Sequence, residues 1–185
     1  MKRWAALLLP SLLGGCALGP LPAPGASIHT IELIAASALP PIAVGRFTAA
    51  PAVARDDRAI PIRASTIRPP NGSFARYLGD MLTAQLRTAG KLDPSAALVL
   101  SGTLLRNHAT TTIGTAHAEL AAEFVLTRGN RILYRKTQEV SRAWDSSFFA
   151  VQALPAATAS YNSLYPALIE KLVADPDFVA AARTP

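Results

Sequence analysis

The sequence predicts an α+β fold: a single β-α-β-β-β-α domain in which a mostly antiparallel sheet carries two amphipathic helices on one face. Three stretches carry that prediction. Residues 74–89 place Phe74, Tyr77, Leu78, Met81, Leu82, Gln85 and Leu86 at spacings of three and four, a single stripe on a helix. Residues 115–127 alternate, with Ala118, Leu120, Ala122, Phe124 and Leu126 on one side and His117, Glu119, Glu123 and Thr127 on the other. Tyr161, Leu164, Tyr165, Leu168, Ile169 and Leu172 form a second helical stripe. Helix stripes and a one-sided sheet must bury their apolar faces against each other, which gives one helical layer on one sheet.

The elements follow in order. Residues 1–15 read as an export signal: Lys2 and Arg3, then an apolar run over residues 4–13 broken by Pro10 and Ser11, then Gly14 and Gly15. The run is too short to span a bilayer, which takes roughly 20 apolar residues. Residues 16–27 begin with the single cysteine, Cys16, and continue with Pro20, Pro22, Pro24, Gly19 and Gly25 and no charge, the composition of a flexible linker. Residues 28–185 then form the domain. Residues 28–36 are apolar and ambiguous, and their partial alternation allows a short strand. Residues 42–47 read as a strand with Ile42, Val44 and Arg46 to one side and Ala43 and Phe47 to the other. Residues 49–70 lack periodicity; Arg55, Asp56, Asp57 and Arg58 make a mixed-charge loop, and Pro61 between Ile60 and Ile62 restricts any strand there to an edge.

Ser73 is a good N-cap for the helix that follows, and Gly90 supplies the left-handed residue that ends it. Residues 97–106 are apolar on both faces, as in a central strand, and Gly102 within them allows a close helix approach. Residues 107–114 are a polar turn or strand extension. Residues 128–131 have hairpin-turn composition, and residues 132–143 return, with Ile132, Tyr134 and Val140 as the core contacts. Pro155 suits a helix start. Pro166 implies a kink or a restart with the proline in the first turn, and Asp175, Pro176 and Asp177 cap a final short helical turn.

Composition bounds the function. The chain has 185 residues, enough for one domain, with 50% apolar residues and 6% aromatic. The formal charge of +6 is mostly arginine, without a run of like charge that would mark a nucleic-acid arm. No nucleophile elbow, phosphate loop or dinucleotide fingerprint occurs. His29, His108 and His117 have no second histidine at ligand spacing, so neither a metal nor another cofactor is expected. His117 and Glu119 share one strand face. Trp144, Phe148 and Phe149 concentrate aromatic surface near the end of the last strand, where an exposed apolar patch is expected.

Leu13, Gly14, Gly15 and Cys16 resemble the bacterial lipoprotein signal, in which cleavage before the cysteine is followed by acylation of its sulfur and new amine. With Ala17 and Leu18 next, the resemblance implies outer-membrane sorting, facing the periplasm. The strand at 42–47, the capped helix from Ser73, the strand with Gly102 and the closing helix are together similar in order to auxiliary lipoproteins of lipid-trafficking ABC transporters and to lipopolysaccharide-assembly lipoproteins. The resemblance implies a membrane-anchored, non-enzymatic accessory or binding component for transport or assembly of envelope components. Its partner is then the membrane through acyl chains on Cys16; the resemblance transfers no other residue, and from the residues themselves the aromatic stretch and the polar strand face, Trp144, Phe148, Phe149, His117 and Glu119, are the candidate contacts for an envelope protein or lipid. The alternative is an envelope hydrolase acting on peptidoglycan or lipid, for which Asp56, Asp57, His117 and Glu119 are the residues to test.

Overall fold

The computed structural model describes residues 20–63 and 65–184. Leu13, Gly14, Gly15 and Cys16 lie outside them. The architecture is mixed α and β, with one four-stranded sheet of order β1-β4-β5-β6. β1 (Ala43–Ala49) pairs parallel with β4 (Leu98–Thr111), and β5 (Gly114–Arg128) and β6 (Arg131–Ser146) complete an antiparallel meander. β2 (Ile60–Ile62) and β3 (Ser65–Ile67) form a separate small hairpin. α2 (Phe74–Thr88) packs over β1 and β4, while α4 (Leu164–Val173) packs over β5 and β6. α3 (Ala150–Asn162) and α5 (Pro176–Arg183) lie against β6, and α1 (Ile28–Ala36) rides on α2 and α4.

α2 forms where its stripe predicts. Ser73 Oγ accepts from the Arg76 amide, and Gly90 follows at φ +68°. Asp57 supplies a second cap: its Oδ1 accepts from the Ala75 amide at 2.7 Å and from Ser73 Oγ at 3.1 Å. Phe74, Tyr77, Leu78, Leu82 and Leu86 are all buried. Each such side chain contributes about 1.5–3 kcal/mol when fully buried, so tertiary packing rather than helix propensity holds α2.

Residues 28–36 are helical, not a strand. Thr30 and Ile34 are buried one turn apart, and Thr30 Oγ1 donates to Glu170 Oε1 of α4 at 2.9 Å. A short apolar run does not separate the two states by pattern; contact with α2 and α4 decides it. Left-handed Ala38 and then Pro40 and Pro41 end the helix.

Three one-residue shifts alter which side chains face inward. In β1 the register jumps between Val44 and Phe47, so that Val44 opposes Leu100 and Phe47 opposes Gly102. Both face the helices, not opposite sides as strict alternation predicts. In β4 the extra residue is Leu105, which is left exposed. In β6 a shift beside Tyr134 pairs Ile132 with Thr127 on the outer face; Ile132 is therefore exposed and Tyr134 alone of the two enters the core.

Gly102 has a role more specific than helix approach. A Cβ there would lie 2.5 Å from the Phe47 ring, and one on Gly79 of α2 would lie 2.9 Å from the same ring. Phe47 is therefore the spacer between helix and sheet, and the two glycines are the walls of its slot. On the other side of α2, Tyr161, Tyr165, Tyr77 and Phe74 form an aromatic cluster with edge-on contacts of 4.9–5.8 Å. Tyr161 Oη donates to Asn107 Oδ1, and the Asn107 amide donates to the Asp56 carbonyl at 2.9 Å. This chain ties α3 through β4 to the charged loop.

The linker prediction changes from residue 20 onward. Leu21 is buried and its amide donates to the Arg68 carbonyl, the Pro22 carbonyl accepts from Tyr77 Oη, and the Ser27 amide donates to Gln85 Oε1. Residues 20–27 thus form a docked strap along α2. The missing charge and high proline content that suggest a linker equally suit an extended segment lying on an apolar helix. Pro155 is likewise not at a helix start: α3 begins at Ala150, and the proline sits inside it on an exposed face. Pro166 does fall in the first turn of a new helix, α4, and Asp175 caps α5 by accepting from the Asp177 amide.

Asp175 is buried and accepts from Tyr134 Oη at 2.9 Å, Gln138 Nε2 at 2.8 Å and Lys136 Nζ at 2.9 Å. Burial opposes its ionisation, but the bonds from Lys136, Tyr134 and the Asp177 amide outweigh that and hold its carboxyl below the usual range. A depressed folded pKa stabilises the fold above the unfolded value of about 3.9, and that contribution disappears as pH falls through the folded pKa. Acid should therefore weaken the β6–α5 junction. In urea titrations at pH 7 and pH 3, Asp175→Asn is expected to lose much less stability on acidification than the parent chain; an equal loss would contradict this.

Candidate functional site

Two surface regions hold the sequence-predicted site residues, and they are distinct. The first is the outer face of the sheet. His117 Nε2 lies 2.9 Å from Glu119 Oε1, and Arg106 Nη1 bridges Glu119 at 3.6 Å to Glu139 on the next strand. The hydrogen bond from His117, with smaller help from Arg106, lowers the Glu119 carboxyl pKa. Glu119 is thus fixed as an anion within a surface network spanning three strands. Such an arrangement fixes charge across strands and disfavours a protonated Glu119. The hydrolase residues are not brought together. Asp57 caps α2 and the Asp56 carbonyl holds Asn107, whereas His117 and Glu119 pair on the outer sheet face. Among the described residues no group of three His, Cys, Asp or Glu side chains is placed to hold a metal.

The second region is the corner where β6 ends and α3 begins. Phe148 is 69% exposed and Phe149 63%, with their rings edge-on at 5.6 Å. Val151, 80% exposed, and Ile113, 68% exposed in the turn between β4 and β5, extend the same corner. Four large apolar side chains exposed on adjoining segments are the makings of an apolar patch. Trp144 does not belong to it. Its place opposite Ala116 turns it inward, where it packs partly buried against the core. The neighbouring tyrosines, Tyr161 and Tyr165, are wholly buried and line no groove.

One residue that sequence reasoning misses builds this corner. Arg63, in the β2–β3 turn, donates from Nη2 to the Ser147 carbonyl at 2.7 Å, to Ser146 Oγ at 2.8 Å and to the Thr112 carbonyl at 3.4 Å. Its Nη1 reaches the Phe148 carbonyl at 3.3 Å. Arg63 holds a left-handed backbone, φ +52°, at a cost of roughly 1–2 kcal/mol for a non-glycine residue. One guanidinium therefore clamps the β4–β5 turn to the β6–α3 loop from a third element, and the apolar side chains project from a braced frame. Nothing in the local sequence around Arg63 marks it, because each of its partners is about 50 or more residues away.

No family model matches the chain, and no curated protein matches it. Among solved structures it is similar to a Xanthomonas campestris protein of the family DUF330, with a TM-score of 0.50 at 16% identity over 74% of this chain and 87% of that one. A Chlamydia trachomatis hypothetical protein gives 0.47 at 10% identity over 78% and 99% of the two chains. A Caulobacter crescentus CB15 protein thought to be a lipoprotein gives 0.44 at 15% identity over 57% and 84%. The first similarity shows a shared fold and nothing about activity. No helix among the described residues is long and apolar enough to cross a membrane.

Proposed function

We propose that the chain is a lipid-anchored, non-enzymatic binding component of the bacterial cell envelope, an accessory to transport or assembly of envelope components. Acyl chains on Cys16 tether it to the outer membrane, facing the periplasm, and the corner formed by Ile113, Phe148, Phe149 and Val151 docks an envelope protein. The Arg63-braced exposure of Phe148 and Phe149 carries this reading. Two large aromatics left mostly in solvent forgo much of the about 1.5–3 kcal/mol that full burial of each would contribute, and aromatic side chains are enriched at the cores of interfaces.

The test is a Phe148→Ser/Phe149→Ser double variant. Both side chains are mostly exposed, so stability should change by no more than about 0.5 kcal/mol per site. Capture of cross-linked envelope proteins from solubilised membranes should fall about tenfold or more, in line with loss of interface anchors. Recovery of the same partners at the same yield would contradict the proposal.

A further inference from the structure

A cleft of about 630 Å³ opens between the end of β1, the loop at residues 54–58 and the start of α2. Arg58, Arg68 and Arg76 line it together with Asp57, Ser73 and Gly72. The guanidinium groups of Arg58 and Arg68 make no hydrogen bond or ion pair with any described residue, and Arg76 makes a single long bond, 3.3 Å, to the Asn71 carbonyl. Asp57, the one carboxylate in the lining, is already committed to the Ala75 amide and Ser73 hydroxyl. Three exposed guanidinium groups line an open cleft, two with no bond to a described residue and the third weakly held, so their donors are free to take an anion. Planar, forked donors match the oxygens of a phosphate best.

The strap places this cleft at the membrane. The Leu21 amide is bonded to the Arg68 carbonyl, so the chain enters the domain at the cleft's own rim. Only residues 17–19 separate Cys16 from Pro20. Even fully extended, that stretch spans about 14 Å, roughly twice the thickness of one headgroup layer, so the rim stays within reach of the bilayer surface. We infer that the Arg58–Arg68–Arg76 cleft holds the phosphodiester headgroup of an anionic lipid in the anchoring membrane, which turns the Arg68 rim toward the bilayer. The inference rests on the lipid anchor proposed above. It also orients the docking corner: Arg63 braces that corner from the β2–β3 turn and Arg68 follows the end of β3, so the headgroup site and the partner site lie at opposite ends of one short hairpin.

The acylated full chain, reconstituted into vesicles and treated with phenylglyoxal, tests this by mass spectrometry of individual arginines. Arg131 and Arg135, exposed at the far end of β6, serve as internal references. In vesicles containing phosphatidylglycerol, Arg58, Arg68 and Arg76 should react about tenfold more slowly than the references, as expected for guanidinium groups engaged in charge-assisted bonds. In phosphatidylcholine vesicles they should react at the reference rate. Arg68→Gln should cost Arg58 and Arg76 most of their protection. Equal rates in both vesicles would overturn the inference. So would equal protection by inorganic phosphate added to phosphatidylcholine vesicles, which would assign the cleft to a free anion. Undiminished protection of Arg58 and Arg76 in Arg68→Gln would also overturn it. The same spectra report the acyl mass on Cys16, so failure of the anchor appears as missing acyl chains and failure of the cleft as uniform modification.

Discussion

Gly102→Val is expected to destabilise the domain by about 3 kcal/mol, although valine is the better strand residue. The new side chain would enter a space in which even a Cβ sits 2.5 Å from the Phe47 ring. Gly79 of α2 closes the opposite wall at 2.9 Å, so the ring can move only toward the open clefts it lines, out of its place between helix and sheet. The strain must therefore lift α2 from the sheet or force Phe47 off its rotamer. For the same reason Gly79→Ala, which in an exposed helix would gain about 1 kcal/mol, should here be destabilising. Urea denaturation of Gly102→Val, Phe47→Ala and the double variant decides the matter. The double variant should be more stable than the sum of the single losses implies. Additive losses would show that the slot does not exist as described.

Tyr161→Ala is expected to cost about 3–5 kcal/mol, a large share of the roughly 5–15 kcal/mol that holds a domain folded. The side chain is fully buried, and its ring meets Phe74 edge-on at 5.5 Å. Its hydroxyl serves both Asn107 Oδ1 and Tyr165. Burial pushes that hydroxyl well above the usual tyrosine pKa, so it remains a donor at any pH the fold survives. Tyr161→Phe separates the two contributions. It keeps the ring but leaves Asn107 Oδ1 without its donor, and should cost about 1–3 kcal/mol. Thermal denaturation should rank the chains parent, Tyr161→Phe, Tyr161→Ala; a Phe variant as stable as the parent would show that the hydroxyl network contributes nothing.

Much of the fold is legible in the residues themselves. Ser73 and Gly90 bound α2, the stripe from Tyr161 to Leu172 lies wholly in the core, and the alternation through Phe124 sets the inner face of β5. The departures have a common cause. Periodicity assumes an unbroken register, and a one-residue shift in β1 and another in β6 move Phe47 and Ile132 to faces that alternation does not assign. Tertiary contact likewise makes a helix of residues 28–36 and a docked strap of residues 20–27.

The candidate site divides the same way. Phe148 and Phe149 stand out as an aromatic pair following a strand. Arg63 and the three cleft arginines do not, because ordinary surface arginines have the same local surroundings. Only the fold brings Arg63 to Ser146 and Ser147, or Arg58 and Arg68 to one cleft.

The proposed tether is the centre of the functional reading, since the inferred headgroup site depends on it. Growth of producing cells with labelled palmitate, comparing the parent chain with Cys16→Ser, tests it most directly. The parent should carry label and fractionate with the outer membrane, and Cys16→Ser should carry none. Label is the deciding readout, because an uncleaved apolar run at residues 4–13 can hold the variant at a membrane without acylation. A Cys16→Ser chain that still incorporates palmitate at the parent level would contradict the lipid anchor.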